Sequence, residues 1–551
     1  MASRIPVLIV GAGPVGLALA GELGWRGIEC LLVEKGDGVI TAPKMDMVGV
    51  RTMEICRRWG IASWVENSPY PRDYPQDNVY VTSLTGYELA REAIPPKNQE
   101  KRSPFSPHNR ERCPQDMFDP ILRRFVDTLP AVSVAFGTEL TEAAEEQDGV
   151  RATLRDAATG ETREVVADYL VGTDGGGSLV RRLMGVGMTG QPVLTHATNI
   201  IFRCADLPSH HDKGRAYRFI FIGPEGTWLT IVAIDGADRW RMSIVGTEEK
   251  QTFSEAEIHA LIRRAMGKDF PYEILSVVPW VRRELVADRF GAGRMFIAGD
   301  AAHLMSPTGG FGMNTGIGDA ADLGWKLEGA LRGWGGPGLL ASYEAERRPV
   351  ARRNVAESSG NLRRMLSSRD RTPPSEVFEP GEAGDVARHE FGSWYAAEMR
   401  REWFTLGIHL GYRYEDSPVI VPDGTPAPLD EVATYTPTTR PGSRAPHVWL
   451  GDGHSTLDLF GRGFVLLKLG DAAPATDAFT AAAARCGLSL KVIALDQSEV
   501  VTAYERRLVL VRPDGHVAWR GDVAPGDPAG VLDQVRGMVP ARTRGQAELV
   551  A

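Results

Sequence analysis

The stretch IPVLIVGAGPVGLALAGELGWRGIECLLVE, Ile5 to Glu34, leaves a chain few ways to fold. An apolar run stops at a glycine turn, a helical pattern follows, and a second apolar run closes on a carboxylate. That is a strand, a turn, a helix and a strand, the opening βαβ unit of a dinucleotide-binding sheet. Gly11, Gly13 and Gly16 match G-x-G-x-x-G. Gly11 permits the tight turn, Gly13 lets backbone approach a pyrophosphate, and Gly16 allows close packing of helix on strand. Pro14 suits the first helical position, and the helix N-terminus offers free N–H groups and a positive dipole end to the phosphates. Glu34 lies 18 residues past Gly16, placed to accept both hydroxyls of an adenosine ribose, with Lys35 beside it. A carboxylate there disfavours a 2′-phosphate, so the ligand is FAD or NAD rather than NADP.

Two later motifs select FAD. ADYLVGTDGGGSLVRRLMG (Ala167–Gly185) repeats the design, an apolar strand followed by Asp174-Gly175, a glycine bend and Arg181-Arg182. RMFIAGDAAHLMSPTGGFGMN (Arg294–Asn314) ends its strand on Asp300 and then exposes bare backbone. Three sites spread over 300 residues need a long ligand. With adenosine at the first turn, Asp300 can bond the ribityl hydroxyls. Beyond Pro307, the N–H groups of Gly310, Gly312, Met313 and Asn314 can face the flavin ring, where donors near N1 and O2 stabilise the reduced anion.

With these three motifs in this order along its first 350 residues, the chain resembles the single-component FAD-dependent aromatic hydroxylases, the group-A flavoprotein monooxygenases. The phenol, chlorophenol and nitrocatechol branch is the nearest in pattern. The resemblance implies an α/β fold: a Rossmann-like FAD domain of the p-hydroxybenzoate hydroxylase type, an inserted mostly antiparallel substrate sheet, and a C-terminal thioredoxin-like domain. It implies tightly but non-covalently bound FAD, NAD(P)H as a transient co-substrate with NADPH favoured, and a homodimer. It also implies that Asp174 and Gly175, with Arg181, meet both FAD and NAD(P)H, and that Gln115 and Arg123 hold FAD. Lys44 stands where the family has arginine, without the planar fork that arginine brings.

The rest of the chain fits this organisation. Residues 1–181 form the first part of the FAD domain, with proline-rich 70–108 read as a loop or flap. Residues 182–281 alternate as strands, and 282–366 complete the FAD domain, ending in a helix with a solvated basic face. Residues 367–440 read as a helical and linker segment, and 441–551 as a thioredoxin-like unit without C-x-x-C, its tail after Val539 unstructured. Five cysteines without paired spacing argue against a disulfide framework or zinc site. Net charge −9 and pI 5.8 exclude a nucleic-acid footprint or a polybasic membrane patch. No apolar run nears the ~20 residues of a span. The expected place is the cytoplasm.

In such enzymes a flavin C4a-hydroperoxide transfers oxygen to an electron-rich ring, and a base that removes a phenolic proton assists. Asp46 is the candidate base, between Met45 and Met47, whose apolar surroundings would raise its pKa. Its alternative role is capping the helix that follows. Tyr217 is the candidate partner of the substrate hydroxyl. No arginine is recognisable as a carboxylate clamp, which favours an uncharged substituted phenol or catechol, with or without loss of a ring substituent. A polyketide or other polycyclic aromatic, hydroxylated or ring-expanded by Baeyer–Villiger insertion, is the alternative. A non-catalytic FAD redox sensor is the third reading.

Overall fold

The computed structural model describes residues 3–40 and 43–538; the tail after Val539 lies outside them. Its first sheet has eight strands, ordered Gly291–Ala292, Met295–Ile297, Thr162–Gly172, Ser3–Val10, Cys30–Val33 and Val132–Ala135, with Thr138–Glu146 and Gly149–Asp156 added to the long Thr162–Gly172 strand. The strands that carry the motifs are parallel, with apolar ends covered on both faces. Their register explains why motifs 300 residues apart act together. Val10 pairs with Gly172 and Val33, and Gly172 with Ile297. Four strands therefore end level, and the segments beginning at Gly11, Thr173, Ala298 and Glu34 share one rim.

The second sheet also has eight strands and is mostly antiparallel. Its long strands, Met188–Arg203 and Glu273–Ala287, run out of the FAD domain, and His303–Leu304 pairs with Leu285 and Val286. The segment after Asp300 is thus bonded to both sheets. Helix Glu255–Met266, with a capping box on Ser254, covers the outer face. The inner face looks back toward the FAD domain.

Residues 70–108 are not simply a loop or flap. Asn78–Val81 and Glu88–Glu92 are strands of this sheet, the first parallel to Arg218–Gly223. NVYV shows no polar alternation because both its faces are covered: Val79 and Val81 join the outer core, Tyr80 the inner one.

Helix Gly338–Asp370 spans 33 residues and runs from the FAD domain to the inner face of the second sheet. Its basic face is only partly solvated, since Arg347 is buried. Helix Glu382–Trp403 packs beside it. The C-terminal sheet is ordered Leu490–Leu495, Phe464–Leu469, Leu508–Val511, Val517–Gly521, parallel in its first pair and antiparallel in the next two, with helix Pro528–Val535 closing it. That is the thioredoxin-like arrangement.

Candidate active site

At the first turn each glycine has a separate reason. Gly11 has φ +101°, and a Cβ there would lie 2.6 Å from the Thr173 carbonyl oxygen. A Cβ on Gly16 would lie 1.9 Å from the Gly11 oxygen. Gly13 is different: no protein atom lies within 4 Å of its added Cβ. It begins helix Pro14–Trp25, and no side chain caps that helix. Open space beside an uncapped helix N-terminus fits a diphosphate. Glu34 accepts hydrogen bonds from the Ala12 and Gly36 N–H groups, both at 2.9 Å, so it braces the turn while each oxygen keeps a further lone pair. Lys35 is exposed.

Asp174 is engaged within its own loop. It accepts from Ser178 Oγ and from the Leu179 and Val180 N–H groups, capping helix Leu179–Leu183. These bonds brace the rim, where Gly175 turns the chain at φ +78°. Arg181 donates to the Gly176 and Ala301 oxygens, tying this loop to the segment after Asp300.

Asp300 makes no hydrogen bond among the described residues. Its carboxylate opens into the cleft, while the surrounding protein desolvates it and raises its pKa against the pull of His303 and Lys44. Gly299, at φ +61°, donates to Asp319 Oδ2, which also meets His303 Nε2 at 2.8 Å. Past Pro307, Gly309 and Gly310 are left-handed, and Gly310 starts the 21-residue helix Phe311–Leu331 without a side-chain cap. Gly312 is open, with Met305 no nearer than 3.8 Å to its added Cβ, and Met313 is half-buried at the FAD-domain core. Asn314 is not free to face a ring with its side chain. Its Oδ1 accepts from Gly49 N–H and Thr52 Oγ1, both at 2.7 Å, and its Nδ2 donates to the Met47 and Gly310 oxygens.

Gln115 accepts from the Lys44 N–H at 3.1 Å and receives no solvent-facing role, being bonded on to Asp119. Lys44 Nζ lies 5.7 Å from the Trp280 ring centre. Arg123 pairs with Asp127 and lies over Phe136, and its buried Nη1 has no partner among the described residues. Two uncapped helix N-termini, the space at Gly13, the free Asp300 carboxylate and the unpaired Arg123 nitrogen together fit FAD.

Opposite the second helix N-terminus sits Asp46, one residue before Met47, whose Cε comes 3.5 Å from an added Gly310 Cβ. Asp46 Oδ2 accepts from Tyr217 OH at 2.8 Å and Arg241 Nη2 at 2.6 Å. Burial raises its carboxyl, but Arg241 and Arg112 outweigh burial and hold it below the usual range. The apolar-pocket expectation is therefore corrected: Asp46 is an anion held by cations. It is not a cap either, since Gly49 starts helix Val50–Trp59 without one. Tyr217 is pushed up to about 12, mainly by burial, and stays protonated.

Sequence reasoning missed Glu402. It sits at the end of helix Glu382–Trp403, in a segment read as helical linker, and is 4% exposed. Its Oε1 accepts from Arg218 at 3.0 Å and from the Gly309 N–H at 3.3 Å, and its Oε2 is buried without a partner among the described residues. Arginines not recognisable as a clamp in the sequence gather near these carboxylates: Arg241 and Arg112 near Asp46, with Arg110 beside Arg112, and Arg218 and Arg282 near Glu402. No local signal marks them, because they come from four separate strands and loops.

Comparison with known proteins follows the same outline. Residues 4–358 match the family described as FAD binding domain, and 438–538 match aromatic-ring hydroxylase, C-terminal. The chain is similar to RebC solved with bound 7-carboxy-K252c, with TM-score 0.90 and 40% identity over 98% of this chain and 100% of that one. It is 32% identical to a tetracenomycin B2 monooxygenase-dioxygenase of Streptomyces olivaceus, over 98% of this chain and 99% of the other. It is 33% identical to a 4-methyl-5-nitrocatechol 5-monooxygenase of Burkholderia, over 97% and 98%.

Proposed function

We propose that this chain, which belongs to the family of FAD-dependent aromatic-ring monooxygenases, uses NADPH and O₂ to hydroxylate a phenolic aromatic of more than one ring. What carries the choice of a multi-ring substrate is the end-to-end likeness to RebC at 40% identity, against 33% for the nitrocatechol enzyme. A single-ring substituted phenol or catechol is the second reading, supported by that nitrocatechol relative.

When bound, the flavin supplies reduction by the nicotinamide and activation of O₂. The chain's own residues do the rest. Helix Phe311–Leu331 aims its N-terminus at the end of the site where negative charge develops. Asp46 Oδ1 is buried with no partner among the described residues, so it can accept the hydrogen bond of a substrate hydroxyl. An anion held at low pKa is a poor base. Asp46 therefore orients the hydroxyl by accepting its hydrogen bond, while Arg241 keeps Asp46 ionised. Tyr217 donates to Asp46 and fixes it. Met47 and the buried Phe311 help exclude water, which protects reactive intermediates.

The five cysteines are free thiols, four of them buried, which supports a reducing compartment and the cytoplasm. Among the described residues no helix is long and apolar enough to cross a membrane.

A screen of fused-ring and single-ring phenols tests the reading, with NADPH consumption and hydroxylated product measured together. The expected result is coupled product from a fused-ring phenol. Coupling to single-ring phenols alone would move the assignment to the second reading.

A further inference from the structure

Beside the reactive end of the site is a crevice lined by Met47, Gln76, Arg110 and Arg112, and by Lys97 with its two carboxylates Glu100 and Glu111. Met47 ties this crevice to the flavin loop through its contact with Gly310. Two guanidinium groups face it without a carboxylate within 4.0 Å among the described residues. Arg112 donates only Nε, to Gln76 Oε1 at 2.5 Å, and lies flat on Tyr217 with its carbon 3.3 Å from the ring centre. Both its Nη atoms are free. Arg110 donates Nη1 to the Trp403 carbonyl at 2.9 Å, and its guanidinium makes no other hydrogen bond among the described residues. The acidic groups near them are each ion-paired with another cation: Asp46 with Arg241, Glu402 with Arg218, Glu92 with Arg400 at 3.7 Å, and Glu100 and Glu111 with Lys97. Desolvation and the charge of Arg112 push Arg110 down to about 10 against the pull of Glu100 and Glu92.

Like charges enclosed together are costly unless an anion joins them. We infer that the Arg110–Arg112 crevice binds a carboxylate carried by the aromatic substrate. The free, stacked fork of Arg112 has the two parallel donors that a carboxylate takes bidentately, and Arg110 adds a third direction. The diphosphate of FAD is not this anion, because its turn lies at Gly11–Gly16, the far end of the site. A phosphate of the nicotinamide co-substrate has related chemistry. The substrate is favoured because the lining includes Met47, which lies next to the Gly310 loop, and Arg112, which stacks on the Tyr217 that holds Asp46. The inference replaces the expected uncharged phenol. It rests on the monooxygenase reading for the identity of the pocket, and its binding test does not depend on turnover.

The test titrates the oxidised FAD holoenzyme with 1-hydroxy-2-naphthoate and with 1-hydroxy-2-naphthamide, following the flavin absorbance at low salt. The expected result is a Kd for the naphthoate roughly tenfold or more below that for the amide. Arg112→Gln raises the naphthoate Kd about tenfold and leaves the amide within twofold, with Arg112→Lys between. FAD content and Tm of both variants report that the fold is intact. Equal behaviour of acid and amide, including binding by neither, overturns the inference. So does an Arg112→Gln variant that raises the KM for NADPH alone while the naphthoate Kd is unchanged, which would assign the crevice to the co-substrate phosphate. Naphthoate selectivity in an enzyme that no aromatic stimulates would leave this site standing and remove the monooxygenase reading.

Discussion

Arg241 Nη2 stands 2.6 Å from Asp46 Oδ2, and this pair reverses what the flanking methionines suggest about the carboxylate. A folded-state pKa held below the unfolded value of ~3.9 contributes stability above that value and loses it only as pH falls through the folded value. Asp46 is therefore ionised throughout the working range. Hydroxylation by the wild type should show no Asp46 titration between pH 6 and 9. Asp46→Asn should lower coupled hydroxylation roughly 10–100-fold with FAD content unchanged, because Arg241 and Tyr217 lose the anion they orient. A pH limb near 7 that disappears in Asp46→Asn would restore the base assignment.

Gly13 and Gly16 separate ligand from scaffold. Gly13→Ala meets no protein atom, so the apoprotein should keep its Tm while its affinity for FAD falls at least about tenfold, as read by FAD titration of the stripped protein. Gly16→Ala forces its Cβ to 1.9 Å from the Gly11 oxygen and should lower the Tm of the apoprotein too. Equal FAD affinity in Gly13→Ala would place the diphosphate elsewhere.

Asp119 is buried, accepts one bond from Gln115, and leaves Oδ1 unpaired among the described residues. Burial raises it to about 7. The native state then binds a proton that the unfolded chain has lost, so stability falls as pH rises from about 4 to 7, by on the order of 2–4 kcal/mol at most. Asp119→Asn should raise the Tm most at pH 8 and by progressively less as pH falls toward 4. A variant with the same pH slope as wild type would show that Asp119 ionises freely.

The C-terminal domain reaches the FAD site through a buried ionic network. Arg512 bonds Glu346, Asp322 and Asp514, and Lys326 bonds Asp322 and Glu346. Arg347 joins Asp319, the residue that holds Gly299 and His303, to Tyr414. Removing one member strands the others. Arg512→Met should destabilise the protein by about 3–5 kcal/mol, visible as a lower Tm with earlier release of flavin fluorescence on heating. A Tm within a degree of wild type would show that the network is dispensable.

The parts legible in the sequence are those whose signal is local. Gly11, Gly13 and Gly16 are fixed by one turn, and the strands ending at Val10, Gly172 and Ile297 announce themselves by apolar runs that stop on glycine. What surrounds Asp46 is not local: Tyr217 and Arg241 arrive from strands of the inserted sheet, and Arg112 from the far side of the proline-rich segment. A carboxylate between methionines looks apolar until those strands are folded over it. Asn78–Val81 was hidden because both its faces are buried and alternation vanishes. Glu402 and Arg347 lie on helices whose charged residues look solvated; Glu402 is enclosed where its helix meets Arg218 and Gly309, and Arg347 where helix Phe311–Leu331 and Tyr414 close over it. Asp174 shows the reverse, a motif carboxylate engaged by its own helix.

The most direct test of the central claim is oxygen labelling. The holoenzyme is turned over with NADPH and ¹⁸O₂ in unlabelled water, using the phenol that most stimulates NADPH consumption, and the product is weighed by mass spectrometry. The expected product carries one ¹⁸O atom per molecule. Product oxygen derived from water, or NADPH consumption that yields only hydrogen peroxide with every aromatic tried, would contradict a monooxygenase.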